Sequence, residues 1–262
     1  MLKNKIALVV GGGQTPGATI GNGRATAIQF AREGAVVLVG DRDIQSARET
    51  VGMIETEGGT GAAFEIDVTL EESVERFVAH AIDRWGRIDV LHNNVGVSLA
   101  GGDAVVEDIE VEAFDRIVNI NLRAMVLACK HTLPHMRTQE SGVIINISSM
   151  AALKPYPYVA YKTTKAGVIA LTEQLAQVNA RYGIRANAIL PGLMNTPMAI
   201  ESRVSETLTR EEVIKARDER VPLGRKMGTA WDVAHAAAFL ASDRAGFITG
   251  VALPVDGGAS VS

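Results

Sequence analysis

A doubly wound α/β fold is predicted, with one parallel sheet and helices on both faces in three layers. Three features of the sequence predict it. Short β-rich runs alternate with longer amphipathic stretches along the chain. Several short runs are apolar at successive positions, as strands covered on both faces must be. Strand–helix alternation in turn requires parallel strands joined by crossovers. The 262 residues suffice for one such domain, 1–262, and no linker, repeat or low-complexity tract divides them.

In order, the predicted strands are "KIALVV" (5–10), "AVVLVG" (35–40), "AAFEI" (62–66), "IDVLHN" (88–93), "GVIINIS" (142–148), "IRANAIL" (184–190) and "GVALPV" (250–255). Amphipathic helices are expected near 24–33, 43–57, 70–85, 110–138, 159–182 and 229–241. The rhythm breaks at 198–228, a polar, helix-prone excursion between the last two strands. Sheets of this kind bind ligands beyond the carboxyl ends of their strands, so this segment is expected to be a substrate lid.

Composition narrows the function classes. A net charge of −4 with no lysine/arginine block argues against a nucleic-acid partner. The longest apolar runs are far too short to span a bilayer, and no signal peptide is recognisable. The single cysteine, Cys129, cannot form an internal disulfide. A reducing, cytoplasmic location is therefore expected, with Cys129 as a buried packing residue. No metal site is expected.

The first predicted strand runs into "GGGQTPGATIGNGRATAIQF". Gly11, Gly21 and Gly23 permit a tight turn, and the helix that follows would point its first N–H groups at a phosphate, with Asn22 at the turn. Asp41 closes the second strand, eighteen residues after Gly23. A carboxylate there can accept from both hydroxyls of an adenosine ribose and would repel a 2′-phosphate. Its alternative role is a helix N-cap. Arg42 next to it leaves NADP open beside the preferred NAD. Asp67 follows the third strand, within reach of an adenine amino group. Asn93 and Asn94 follow the fourth, where they could bridge strands or touch a ribose. His92 beside them is expected to be packed at the strand end.

Residues 155–167, "PYPYVAYKTTKAG", hold a phenol and an ammonium four apart twice: Tyr158 with Lys162, and Tyr161 with Lys165. That offset places each pair on one helix face. Pro157 biases Tyr156 toward extended backbone, so the helix starts at or after 157. The Tyr161 face continues through Lys165, Val168, Thr172 and Leu175. The Tyr158 face carries Lys162, Ile169, Glu173 and Ala180, which is wetter. A catalytic face turns inward, which selects Tyr161 and Lys165.

The glycine turn with "GNGRATA", Asp41, "DV" at 67–68, "NNVG" at 93–96, "NINL" at 119–122, "NISS" at 146–149, "YKTTK" at 161–165, "PGLMNTPM" at 191–198 and "VDGG" at 255–258 occur in one order and spacing. Together they resemble the short-chain dehydrogenase/reductase family over nearly the whole chain. The resemblance implies a single Rossmann-like domain, usually a homotetramer, that oxidises alcohols or reduces ketones with a nicotinamide cofactor. It implies that Tyr161 carries the substrate proton and that Ser149 orients the substrate oxygen. Lys165 would hold the nicotinamide ribose and, together with the positive nicotinamide, favour the phenolate, and Asn121 would anchor a proton-relaying water. It extends the cofactor contacts to Val68, Asn94, Gly96, Pro191, Met194 and Thr196, with Tyr161 and Lys165 themselves. Thr196 has a second possible role as an N-cap of the lid helix. Tyr156 and Tyr158 either line the substrate mouth or cap their loop.

Two departures from the family pattern stand out. Nine residues rather than three separate Gly11 from Gly21, so 13–19 is expected to loop out over the adenosine side, with Thr15 or Thr19 adding a hydroxyl contact; the rival view is a bulge without ligand contact. Ser149 lies twelve residues before Tyr161, whereas Ser148 has the family's usual spacing of thirteen. Ser149 is preferred because the sheet fixes the strand end. An apolar set (Met150, Leu153, Met194, Met198, Ile200) suggests a hydrophobic, cyclic or aromatic alcohol or ketone. The alternatives are a nucleotide sensor without turnover and an enoyl-thioester reductase.

Overall fold

The computed structural model describes residues 1–262. Seven strands, β1 (Ile6–Val10), β2 (Val36–Asp41), β3 (Thr60–Glu65), β4 (Val90–Asn93), β5 (Gly142–Ile147), β6 (Ile184–Pro191) and β7 (Ala252–Val255), form one sheet in the order β3-β2-β1-β4-β5-β6-β7. Every pairing is parallel. The strand order reverses between β1 and β4, and there the loops leaving the two strands diverge to open a crevice. All five residues of β1 are buried, which accounts for its unbroken apolar run.

The helices are α1 (Asn22–Arg32), α2 (Ile44–Thr56), α3 (Glu71–Trp85), α4 (Val111–Val118), α5 (Ala124–Thr138), α6 (Val159–Asn179), α7 (Pro197–Ile200), α8 (Arg210–Asp218) and α9 (Ala230–Ala241). Two apolar cores flank the sheet. One packs Phe30 of α1, Ile54 of α2 and Val233 of α9 against Val9, Val37 and Ile145. The other packs Phe77 of α3, Met136 of α5 and Leu175 of α6 against Leu8, Leu38 and Ile144. Burying each such side chain contributes about 1.5–3 kcal/mol. Cys129 lies in the second core, where burial pushes its thiol up to about 12, so it packs and does not react.

The predicted helix at 110–138 is two helices joined by a π turn, Asn119–Arg123. The excursion before α9, expected as a lid, holds α7, a 3₁₀ turn at Glu201–Arg203, and α8. It has a small core of its own in Ile200, Val213, Val221 and Met227. No helix is long and apolar enough to cross a membrane.

Candidate active site

The helix that carries Tyr161 and Lys165, α6, is held from outside its own sequence. Asp103, 6% exposed in the loop before α4, accepts the backbone N–H groups of Ala160 and Tyr161 at 2.9 Å each. These are first-turn donors of α6, which lack partners within the helix. Ser98 Oγ donates to the same carboxylate at 3.2 Å and lies 3.0 Å from the Tyr156 hydroxyl. The Tyr156 ring stands 5.5 Å from those of both Tyr158 and Tyr161, so three aromatic side chains gather at the mouth. The sequence reading missed Asp103 and Ser98, because the site groups they hold, at 156, 160 and 161, lie 57 or 58 residues away.

The two phenol–ammonium pairs differ. Tyr158 precedes α6 in extended backbone. Lys162 Nζ donates to the carbonyls of Ala151 (3.1 Å) and Lys154 (2.7 Å), pinning the loop that leaves β5. Tyr161 and Lys165 sit further along α6 at the sheet end. Lys165 is 2% exposed, its Nζ donates to the Ile147 carbonyl at 2.7 Å, and it lies 5.6 Å from the centre of the Tyr161 ring.

Ser148 Oγ donates to the Lys165 carbonyl at 2.7 Å and is fully engaged in packing. The Ser149 hydroxyl, which accepts Ala151 N–H at 3.1 Å, faces the Tyr161 phenol and favours its ionised form. Asn121 sits in the π turn, wholly buried. Its amide is paired with the backbone of Val97 in both directions (2.8 and 2.9 Å) and donates to Thr164 Oγ1 at 3.2 Å. The side chain therefore ties the loop after β4 to the kinked helix.

In the chain by itself, burial pushes Tyr161 up to about 12, with Ser149 and Arg203 opposing the rise and Tyr156 and Asp103 adding to it. The expected phenolate needs Lys165 and the positive nicotinamide together. Burial also pushes Lys165 down to about 8, so its charge is weakly held. The chain alone presents a neutral phenol at neutral pH, ready to give a proton.

The nucleotide end fits a dinucleotide. Gly11 has φ +83°, and a β-carbon there would stand 2.7 Å from Val95 Cγ2, while one at Gly23 would overlap the Gly11 carbonyl. Asn94 Nδ2 donates to that carbonyl at 2.9 Å, tying β4 to the turn across the switch point. Thr19 Oγ1 and Asn22 Oδ1 are buried there without partners, and the hydroxyl of buried Thr196 makes no cap bond. Asp41 Oδ2 accepts Gly13 N–H at 3.0 Å and Oδ1 accepts Asp43 N–H at 3.1 Å. The cap of α2 is Asp43, not Asp41.

Asp67 accepts the N–H and hydroxyl of Thr69 (2.9 and 2.7 Å). Asn93 donates to Asn146 at 2.9 Å, deep between strands. Gly96 lies beside Lys165, where an added β-carbon would stand 3.2 Å from its Nζ. Val68 and Met194 bury their side chains in the two cores, which leaves only their backbone for a cofactor, and Pro191 closes β6. Ile200 and Met194 are packed inward, while Leu153 and Met198 are exposed. The apolar set expected to line a pocket is thus scattered.

The insertion runs differently from expectation. Its base is pinned on the adenosine side by Gly13, and by Gln14 N–H donating to Ser46 Oγ at 2.9 Å. Gln14 Oε1 accepts the Gly21 N–H at 3.0 Å, so that donor, expected at a phosphate, is taken. The loop then crosses to the lid: a β-carbon on Gly17 would stand 2.8 Å from Pro197 Cβ and 3.1 Å from Glu201 Cγ.

Comparison with known proteins gives consistent relatives. A family model described as enoyl-(acyl carrier protein) reductase matches residues 17–260. The chain is 38% identical to 3beta-hydroxysteroid dehydrogenase 1 of Eggerthella lenta over 98% of its length and 94% of the relative. It is 36% identical to a 2,5-dichloro-2,5-cyclohexadiene-1,4-diol dehydrogenase of Sphingobium indicum, over 99% of the chain and 98% of the relative. The crystal structure of levodione reductase superposes with a TM-score of 0.91 at 30% identity, with all of both chains covered.

Proposed function

This chain belongs to the short-chain dehydrogenase/reductase family, and we propose that its particular reaction is the NAD-linked interconversion of a hydrophobic ring alcohol and its ketone. At the coarser level it is an oxidoreductase that moves a hydride between a nicotinamide cofactor and a secondary alcohol or ketone. The observation that carries the finer reading is the half-buried Tyr161 side chain near Ser149 and Lys165, with the Tyr156 ring 5.5 Å from those of both Tyr161 and Tyr158. The steroid and cyclohexadienediol relatives favour a ring substrate.

Ser149 would donate a hydrogen bond to the substrate oxygen and fix its distance from Tyr161. Tyr161 would give its proton to that oxygen in reduction and take it back in oxidation. A bound nicotinamide supplies the hydride donor or acceptor. Lys165 would hold the nicotinamide ribose, with Asn121 anchoring the relaying water. Gly11, Asn22, Gly23 and Thr196 would cradle the phosphates. Asp41 would accept from the adenosine ribose and set NAD above NADP. Val68, Asn94, Gly96, Pro191 and Met194 would complete the cofactor wall, and Asp67 would meet the adenine. A cytoplasmic homotetramer completes this proposal. An enoyl-thioester reductase is disfavoured, because its tyrosine and lysine are usually more than four residues apart.

The test compares two tyrosines. Tyr161→Phe should abolish turnover in an alcohol and ketone panel followed by NADH absorbance, while NADH still binds. Tyr158→Phe should keep most activity. Reversed behaviour of the two variants overturns the assignment.

A further inference from the structure

Extending the alcohol–ketone reading, on which this rests, we propose that Arg203 and Arg217 of the lid form a receptor for a carboxylate-class anionic group on the substrate. The lid carries five arginines, and only Arg210 has a carboxylate partner, Glu201 at 3.3 Å. Arg217 Nε donates to Met227 Sδ at 3.4 Å, a weak acceptor, and its terminal nitrogens donate to nothing. The adjacent carboxylate, Asp218, accepts Met227 N–H at 2.7 Å and pairs with no arginine. Arg203 spends one terminal nitrogen on Ala199 O (2.8 Å) and Ser202 Oγ (3.2 Å), leaving the rest of its fork without an acceptor.

Arg203 is held by Ala199 and Ser202 and Arg217 by Met227, and these holders flank or belong to the one small core of Ile200, Val213, Val221 and Met227. The charge of Arg203 favours the ionised forms of both Tyr156 and Tyr161. Burial first, then Arg203 and Arg220, push Arg217 down to about 10, with Tyr156 opposing. Like charges held together in a partly desolvated place are costly unless a counter-anion arrives. The lid core beneath, through Ile200, Val213 and Met227, holds the two segments in this arrangement. A guanidinium fork matches a carboxylate through two parallel hydrogen bonds. The substrate so described has its hydroxyl at Tyr161, a ring against Tyr156 and an anion under the lid.

The test uses cyclohexanecarboxylate and cyclohexanol as binding probes for the full chain with NADH, by calorimetry, in wild type, Arg203→Met, Arg217→Met and Arg217→Lys. The carboxylate should bind wild type at least about tenfold more tightly than the alcohol. That preference should vanish in both methionine variants and partly survive in Arg217→Lys, with the NADH dissociation constant unchanged. Equal binding of the two probes to wild type overturns the proposal, as does a preference that survives both methionine variants. A raised NADH dissociation constant without loss of carboxylate binding assigns the arginines to the cofactor and overturns it too. Failure of the alcohol–ketone reading itself looks different: no alcohol or ketone is turned over, while carboxylate binding still depends on the arginines.

Discussion

The backbone N–H of Tyr161 donates to the carboxylate of Asp103 at 2.9 Å, so the proposed proton carrier is positioned by the loop that follows the neighbouring strand, β4. Asp103 acts on Tyr161 twice. It fixes the first turn of α6, and its charge disfavours the phenolate. Asn at 103 offers one acceptor oxygen for two N–H donors, and its NH₂ opposes the second.

Asp103→Asn is expected to lose about 1–3 kcal/mol of stability, read as a lower Tm. It should also change the kinetics in a way a simple cap would not. Alcohol oxidation needs the phenolate, so its rate rises with pH toward the Tyr161 pKa. Around that phenol, Ser149 and Arg203 favour ionisation, Tyr156 and Asp103 oppose it, and Lys165 lies below the ring. Removing the Asp103 charge should move the rise to lower pH. An unmoved profile with a lowered Tm reduces Asp103 to a structural cap.

Cofactor choice should depend on Asp41. NAD should be preferred over NADP by at least about tenfold in kcat/KM, about 1.4 kcal/mol. Asp41→Ala should narrow the ratio, because the carboxylate that would repel a 2′-phosphate is gone while Arg42 remains. Equal wild-type rates with both cofactors contradict this.

Deleting 13–18 restores a three-residue glycine turn and removes both the Gly13–Asp41 bond and the Gly17–Pro197 contact. The NADH dissociation constant, measured by fluorescence titration, should rise about tenfold, about 1.4 kcal/mol. An unchanged constant makes the loop a bulge.

His92 sets an acid limit on stability. It is wholly buried, neither ring nitrogen has a partner, and burial pushes it from 6.5 down to about 3. The unfolded chain therefore binds a proton between pH 6.5 and about 3 that the folded chain refuses. Stability should fall by about 1.4 kcal/mol per unit as pH drops through that window. His92→Leu should flatten this slope in denaturant titrations at several pH values; an unaltered slope assigns the acid sensitivity elsewhere.

The sheet was legible because strands buried on both faces leave continuous apolar runs, and β1 and β2 lie within a residue of their expected bounds. β3 was read late, at 62 instead of Thr60, because its first residues are a threonine and a glycine. The π turn at Asn119–Arg123 was illegible, since one extra residue hardly disturbs the helical pattern. Of the candidate site, the Tyr161–Lys165 pair was readable from the spacing within one helix. Asp103 was not, because its meaning lies in donors on another element. The burial around the Tyr161 hydroxyl was illegible for a related reason: spacing reveals neighbouring charges, whereas burial emerges only when all layers are assembled.

The contact between Gly17 and Pro197 makes two segments of the chain interdependent as parts. A turn of three residues would lack this contact and leave residues 197–203 independent of the glycine turn. Here a transplanted lid would arrive without its counterpart, and any side chain at position 17 would collide with the native one. Recombination between this chain and its relatives should therefore succeed only when residues 12–20 and 197–203 travel together, although about 180 residues separate them in the sequence.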